Sequence, residues 1–495
     1  MFNLTTDAAI LPDPYLKTHL GQFDRRFLSH HIARLAFAIL VLTILIVPTV
    51  QFVITIQKID TSPFRESGQR HRTALGRWLP TAELLLKQHA DGAAPSAEDE
   101  SAALTRTDNP YGYGHWFPTP PLVLICLAPL AKLGVVGAGV VWSILKLGGL
   151  SLAAWLLLRE MKHQGHPIPI GVLLMTLVFG IRPIISDIQH GNLNIFMLIW
   201  LALAWVCYLR GKDAWAGLLL ALAIVTKITP ALALVYFLYK RHWRLCAWAG
   251  IGLVLVFILI PGVVLGFEYN LMLLRTWFDM LVRPFAVEGY AATEIANQSL
   301  YGVLLRLLSN TGILRIESMP ADEMFKAGME HMDRPATQLG RLLRPAISLL
   351  MLAILAWSCR RRGTARSDPH RLLEFGMVLV AMLLLSERTW KHHATTLPLV
   401  YLGIWYALTC LPTSDRFRAA CVAGLVVQLL LLVIVGEGVV GDRMADRLLE
   451  GGYFCWGLLI CLIQIAVMLR HLERSASVAL TAPEPASLRG RSPNR

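Results

Sequence analysis

Apolar runs about as long as a bilayer is thick recur along this chain from Arg34 to Arg470, and they exclude most of what 495 residues can otherwise become. A hydrocarbon layer roughly 30 Å thick requires about 20 apolar residues per helix, since each residue advances a helix by about 1.5 Å. No soluble arrangement covers so many such runs. Composition agrees where it matters: 16% of residues are charged, against roughly 25% in soluble chains. The chain therefore reads as an all-α integral membrane protein, a polytopic helical bundle. Full crossings are expected near residues 34–56, 138–158, 168–184, 194–210, 245–265, 341–358, 372–386, 395–411, 418–436 and 453–470. The first run is too long for a signal-peptide core and no small-residue cleavage site follows it, so it is read as a retained anchor.

A formal net charge of +13 invites a nucleic-acid reading, but the basic residues cluster at the ends of apolar segments. Arg25 and Arg26, Arg159 and Lys162, Arg210 and Lys212, Lys240 to Arg244, Arg360 to Arg362, Arg416 and Arg418, and Arg470 and Arg474 all sit there. That is the positive-inside pattern, and it marks the cytoplasmic side of an inner (plasma) membrane. The partner it implies is the lipid bilayer; no nucleic acid is expected. Residues 1–33 and the Pro-, Ser- and Ala-rich tail 475–495 fall in the cytoplasm, the tail disordered. Residues 57–119 and 266–341 become the two large outer loops, carrying surface helices such as Ala74 to Gln88. All eight cysteines lie in or beside apolar runs without metal-ligand spacing, which makes them packing residues.

Two apolar stretches resist single crossings. Pro120 to Leu133 reaches only about half a bilayer. Ala214 to Tyr239 is broken at Thr226-Lys227-Ile228-Thr229-Pro230, where proline removes a helical donor. Two re-entrant or broken helices place every basic cluster on one face. Non-helical backbone at membrane depth is tolerated only in protein or beside a cavity, so a cavity opening outward is expected.

The polar residues around that cavity carry the chemistry. Asp60 stands just past the first span, with Glu66 a competitor six residues on. A solvated loop carboxylate is the plain alternative. Lys227 is the one cation read inside the apolar layer, where ionisable groups are functional by default; snorkelling is its alternative. The turn IQHGNLN supplies Gln189, His190, Asn192 and Asn194, unless Asn192 merely caps the next helix. SERTWKHH supplies Arg388, His392 and His393. Adjacent side chains diverge on a helix, so the histidines suit acid or phosphate-binding work better than a shared metal. NPYGYGHWFPTPP brings His115 and Trp116 to the mouth of the half-helix, where an aromatic belt explains them equally well.

These pieces, in this order, resemble glycosyltransferase family 87, polyprenyl-phosphate-dependent enzymes with the GT-C membrane fold. Asp60 opens the first outer loop, and FPTPP at Phe117 to Pro121 closes it in place of a Y-P-P turn. HGNLN at His190 to Asn194 stands for a GQxN-type turn, Lys227 and Pro230 for K-x-x-P, Asn297 to Leu300 for N-Q-S-L, and Ser386 to His393 for S-x-x-S-W-x-H-H. Departures are QKID before the aspartate, Phe117 for the first tyrosine, His190 for glutamine and an insertion from Ile316 to Arg334. The resemblance implies a GT-C domain over 34–474 with about ten crossings. It implies a sugar, mannose or another hexose, moving from a polyprenyl-phosphate donor to an extracytoplasmic glycolipid or glycan acceptor with inversion. Asp60 is then the general base, and Lys227 with His392 or His393 stabilises the departing phosphate. His190, Asn192, Asn194, Asn297, Gln298, His115 and Arg388 contact substrates. No cofactor, metal or nucleotide-sugar site is called for. The rival reading is a lipid flippase or secondary transporter, which broken helices and buried charge also suit.

Overall fold

The computed structural model of the chain describes residues 31–60, 73–90, 111, 117–320, 331–361 and 365–481, with the side chains of 31–39, 42, 58–60, 84, 86–90, 437 and 475–481 outside that description. Helices run in the order α1 (His31–Asp60), α2 (Ala74–Ala90), α3 (Pro121–Ala131), α4 (Gly134–His163), α5 (Ile170–His190), α6 (Asn194–Leu209), α7 (Asp213–Thr226), α8 (Ala231–Tyr239) and α9 (Trp243–Val254). Then come α10 (Phe267–Trp277), α11 (Leu300–Asn310), α12 (Leu343–Ser358), α13 (Pro369–Leu384), α14 (Leu397–Cys410), α15 (Asp415–Gln428) and α16 (Tyr453–Thr481), with short helical pieces between some of them.

Among the described residues, six helices are long and apolar enough to cross a membrane by length and composition, where ten crossings are expected. They are Gly134–His163, Ile170–His190, Trp243–Leu265, Gln338–Ser358, Asp415–Ile434 and Tyr453–Arg474. The shortfall has a physical cause. Of the four expected crossings not among them, α6 and α13 have 16 residues each and α14 has 14, so at about 1.5 Å per residue each falls short of a hydrocarbon layer roughly 30 Å thick. The fourth, 34–56, lies in α1, whose side chains are only partly described. The ends of α6, α7 and α13 meet at one place, where Asn194, Thr226 and Leu385 line a common cavity.

The expected split hairpin is present. Lys227 leaves helical geometry at φ −159° and ψ 131°, and Pro230 precedes the first turn of α8, which returns the way α7 came. Its return is fixed by contacts. The Tyr208 hydroxyl lies 3.0 Å from His242 Nε2, and Arg366 binds the Asp213 carboxylate at 2.5 Å. Both feet of the hairpin therefore stand at the same, basic end of the bundle. The half-helix α3 opens on Pro121, whose missing N–H is an orphan at a helix start anyway.

Two apolar cores position the cavity. The larger joins α5, α6, α13, α14 and α16 around Trp205, Phe375 and Tyr401. The smaller packs α1, α2, α3 and α10 through Phe52, Trp78, Phe117 and Trp277, with Trp78 edge-on to Phe117 at 5.6 Å. The surface helix expected over Ala74 to Gln88 is α2.

The all-α expectation needs one correction. An antiparallel sheet of order β1-β3-β2 joins Ala291–Ala292, Met332–Pro335 and Ile316–Ser318, with Ala291 opposite Asp333 and Ile316 opposite Pro335. Strands of two to four residues carry no readable alternation, so only their pairing reveals them. The insertion from Ile316 to Arg334 thus supplies two strands, its residues 321–330 lying outside the description.

Candidate active site

The cavity begins with how α5 hands over to α6. Gly191 closes α5 at φ +64°, and a Cβ there would stand 2.6 Å from Phe52, so both backbone and space require glycine. One turn earlier Asp187, fully buried, reaches across this corner. Its Oδ2 accepts from the Asn194 backbone N–H at 3.2 Å and from Asn194 Nδ2 at 2.9 Å, capping α6 from outside the helix. Its Oδ1 meets the Lys146 ammonium of α4 at 2.6 Å, both side chains buried. Asn194 Oδ1 in turn accepts from Lys227 Nζ at 3.2 Å. Asn192, for which helix capping was the plain alternative, accepts from the Leu193 N–H through Oδ1 and places Nδ2 3.2 Å from His392 Nε2.

The opposite wall is the segment 386–393 between α13 and α14. Asn297 and Gln298, both fully buried, hold it. Asn297 Oδ1 accepts from the Thr389 N–H at 2.9 Å while Nδ2 donates to the Glu387 carbonyl at 3.2 Å. The Gln298 N–H donates to the Thr389 carbonyl at 2.7 Å. Neither side chain lines a described cavity. Arg388 and the Trp390 indole N–H converge on Glu294 Oε1, at 3.2 and 2.9 Å. His393 lies against Trp390, rings nearly parallel with centroids 5.7 Å apart, and its Nδ1 is 3.1 Å from the Arg388 carbonyl. The Trp390 N–H also lies 3.3 Å from that Nδ1, and with Nδ1 accepting it the ring proton stands on Nε2 as a donor.

Between these walls lies a cavity of ≈ 370 Å³. Among the described residues its lining carries four cations, Arg77, Lys227, Arg344 and Arg388, against one carboxylate, Glu387. Arg344 Nη1 and the Thr119 hydroxyl are buried without a hydrogen-bond partner among the described residues. Leu281, Val282 and Phe285 give the cavity an apolar flank on and beside a π-helical turn, Phe278–Val282, a distortion frequent at functional sites.

A second cavity of ≈ 540 Å³ lies behind Trp390, lined by His190, His392, Lys391, Gln189 and Arg182. His190 stacks on His392 with centroids 4.5 Å apart. The adjacent histidines therefore face different spaces: His393 the first cavity, His392 the second. Burial first, then the surrounding positive charge that includes Lys227, holds both imidazoles well below the ordinary histidine range, so both are neutral at pH 7.

Lys227, Asn192, Asn194, Arg388 and His393 thus meet at one cavity, and His190 and His392 at its neighbour. Asp60 closes α1, but its side chain is outside the description, as are Glu66 and His115 altogether. The reading of Lys227 as the one cation inside the apolar layer is corrected by Lys146, which is buried midway along α4. Lys146 interrupts an apolar run with an ionisable group, the signal that singled out Lys227, whereas Asp187 stands in the polar turn after the expected crossing 168–184. Arg77 and Arg344 lie in amphipathic surroundings that gave no such signal.

The model of glycosyltransferase family 87 matches residues 117–387. A polyprenol-phosphate-mannose-dependent alpha-(1-2)-phosphatidylinositol pentamannoside mannosyltransferase of Mycobacterium tuberculosis (strain CDC 1551 / Oshkosh) is 29% identical over 296 residues, 58% of each chain. The chain thus spans under two thirds of that relative's length. A polyprenol-phosphate-mannose-dependent alpha-(1-2)-phosphatidylinositol mannoside mannosyltransferase of Mycolicibacterium smegmatis is 24% identical over 82% of this chain and 84% of its own. ArnT from Cupriavidus metallidurans in the apo state aligns over 90% of this chain and 80% of its own at 14% identity, with a TM-score of 0.34, too loose a superposition to carry an argument.

Proposed function

The chain belongs to glycosyltransferase family 87, whose model covers more than half of it, and from that premise we propose that it moves mannose or another hexose from a polyprenyl-phosphate donor to a glycolipid or glycan acceptor. The observation that carries this reading is the first cavity. It joins four cations and an unpartnered guanidinium N–H to an apolar flank, inside a bundle built for a membrane. A phosphate buried in such surroundings must be neutralised, or it costs several kcal/mol. A polyprenyl phosphate carries both the anion and the hydrocarbon that this lining suits. The relatives' dependence on polyprenol-phosphate-mannose, which their names state, supports the same donor.

The reaction balances simply. The acceptor oxygen attacks the anomeric carbon, its proton passing to the Asp60 carboxylate, and the bond from that carbon to the phosphate oxygen breaks with its electron pair. Polyprenyl phosphate leaves and the anomeric centre inverts. Lys227 and Arg388 offset the charge that grows on the phosphate, and neutral His393 hydrogen-bonds it. Asn297 and Gln298 act as positioning residues for the 386–393 segment rather than as substrate contacts. The fold under this proposal is of GT-C type with about ten crossings, the short helices completing theirs beside the cavity. The cavity opens extracytoplasmically, opposite the basic loops.

Purified protein in nanodiscs, given polyprenyl-phosphate mannose and a phosphatidylinositol-glycoside acceptor, tests this directly. The expected result is free polyprenyl phosphate together with a mannosylated acceptor. Transbilayer movement of the intact donor without cleavage replaces this reading with the flippase.

A further inference from the structure

The cavity's central cation is held by a relay. Lys146, Asp187, Asn194 and Lys227 come from α4, α5, α6 and the break after α7, and each touches the next. Three of them are buried almost completely, Asp187 at 0%, Lys146 at 2% and Asn194 at 2% exposure. We infer that Lys146 and Asp187 are positioning residues for donor binding, acting on Lys227 through the orientation of the Asn194 amide. This inference rests on Lys227 being the counter-charge of the donor phosphate.

The argument is one of donors and acceptors. An ionised carboxylate only accepts, so the Asn194 face turned to Asp187 must be its NH₂. Two bonds from Asn194 to the one oxygen, Oδ2, at 3.2 and 2.9 Å, leave that face no freedom. Its other face is then necessarily the carbonyl oxygen, the only group on an amide that an ammonium welcomes. The usual ambiguity of an amide flip is removed by the network itself. Lys227 gives one N–H to that oxygen and keeps two for the cavity.

Charge explains why the relay begins with a lysine. Asp187 alone would be a buried anion two contacts from Lys227, and would draw that ammonium out of the cavity or compete with the donor for it. Lys146 at 2.6 Å cancels it locally. Lys227 then meets a neutral dipole at hydrogen-bond distance, and among the described residues no carboxylate stands within ion-pair distance of it, Glu387 of the cavity wall acting on it from further off. Its positive charge stays unspent until an anion arrives. Lys146 and Asp187 thereby orient the ammonium without neutralising it.

The experiment compares farnesyl phosphate with farnesol, its uncharged counterpart, as cavity probes for the full chain in detergent. The double variant K146M/D187L replaces the ion pair by apolar side chains of similar size, an exchange that is often tolerated in a folded core. Its amide at 194 becomes free to flip. The expected result is about a tenfold weaker farnesyl phosphate affinity with farnesol affinity and melting temperature unchanged. In the K227M background the same double substitution should change nothing, because the relay then has no cargo. A merely structural pair would weaken both probes alike, in both backgrounds. If K227M weakens farnesyl phosphate binding and folded K146M/D187L does not, the relay is wrong and the phosphate role of Lys227 stands. If K227M leaves the phosphate probe unaffected, the phosphate role itself has failed. Should K146M/D187L not fold, N194L removes the same amide without touching the ion pair and carries the same expectation.

Discussion

The two ends of the helical bundle both bury charge, and they do so in opposite ways. At the basic end the charges close on one another. Lys240 Nζ meets Glu374 Oε1 at 2.6 Å and the carbonyls of Cys359 and Arg361, while Tyr236 donates to Glu374 Oε2 at 2.9 Å and Arg371 stands 3.7 Å from it. Arg366 grips Asp213 with two nitrogens, and Arg210 meets Glu160 at 2.7 Å. At the cavity end Arg388 is paired with Glu294, but Arg344 Nη1 has no hydrogen-bond partner among the described residues and Lys227 rests on a neutral amide. A closed network holds helices together; an open one waits for an anion. Buried charge by itself is thus no sign of a binding site.

Four experiments break or sharpen this contrast. The largest effect belongs to the closed end. Glu374→Leu leaves Lys240 and Arg371 buried without their carboxylate, and should lower stability by about 3–5 kcal/mol. Melting in detergent measures it, and phosphate-probe affinity of the surviving folded protein should not change. A selective loss of that affinity with unaltered melting would erase the distinction between the ends. Next is the base. Asp60→Asn keeps shape and removes basicity, so turnover should fall on the order of 100-fold with melting unchanged, while Glu66→Gln does much less. If the two results are exchanged, the base is Glu66.

The open end should respond through binding instead. Lys227→Met is expected to weaken donor affinity and turnover about tenfold, with little effect on stability, and more than removal of any loop arginine. Lys227→Arg should restore only part, since a planar fork does not replace a point charge in a fixed pocket. A cooperative loss of fold in Lys227→Met would make this end a scaffold like the other. The smallest effect is a pH slope. His392 and His393 are held below the ordinary value, so the unfolded chain binds their protons first. Their contribution is complete above about pH 6.5 and declines as pH falls below it. Melting temperatures between pH 7.5 and pH 5 should show this decline, and His393→Gln should flatten it.

Much of this contrast was legible in the sequence. Lys227 and Pro230 stand in an apolar run, and a chain cannot carry a lysine and a helix break there without a reason. The half-helix after Pro120 and the surface helix over Ala74 to Gln88 followed from length and periodicity alone. The strands at Ile316–Ser318 and Met332–Pro335 did not, being too short to show a period. Asn297 and Gln298 were substrate contacts only by resemblance; their backbone partners, about ninety to a hundred and fifty residues away, make them clamps.

By itself the sequence determined the solvent, the helical class and the places where helices had to stop, because hydrophobic length and proline act locally. Only the tertiary structure decided which charges were spent. Lys146 and Asp187 are 41 residues apart, Lys240 and Glu374 are 134 apart, and nothing in either neighbourhood announces its partner. The energy of a buried charge depends on what lies within a few ångströms of it, and that is settled by which helices the fold brings together.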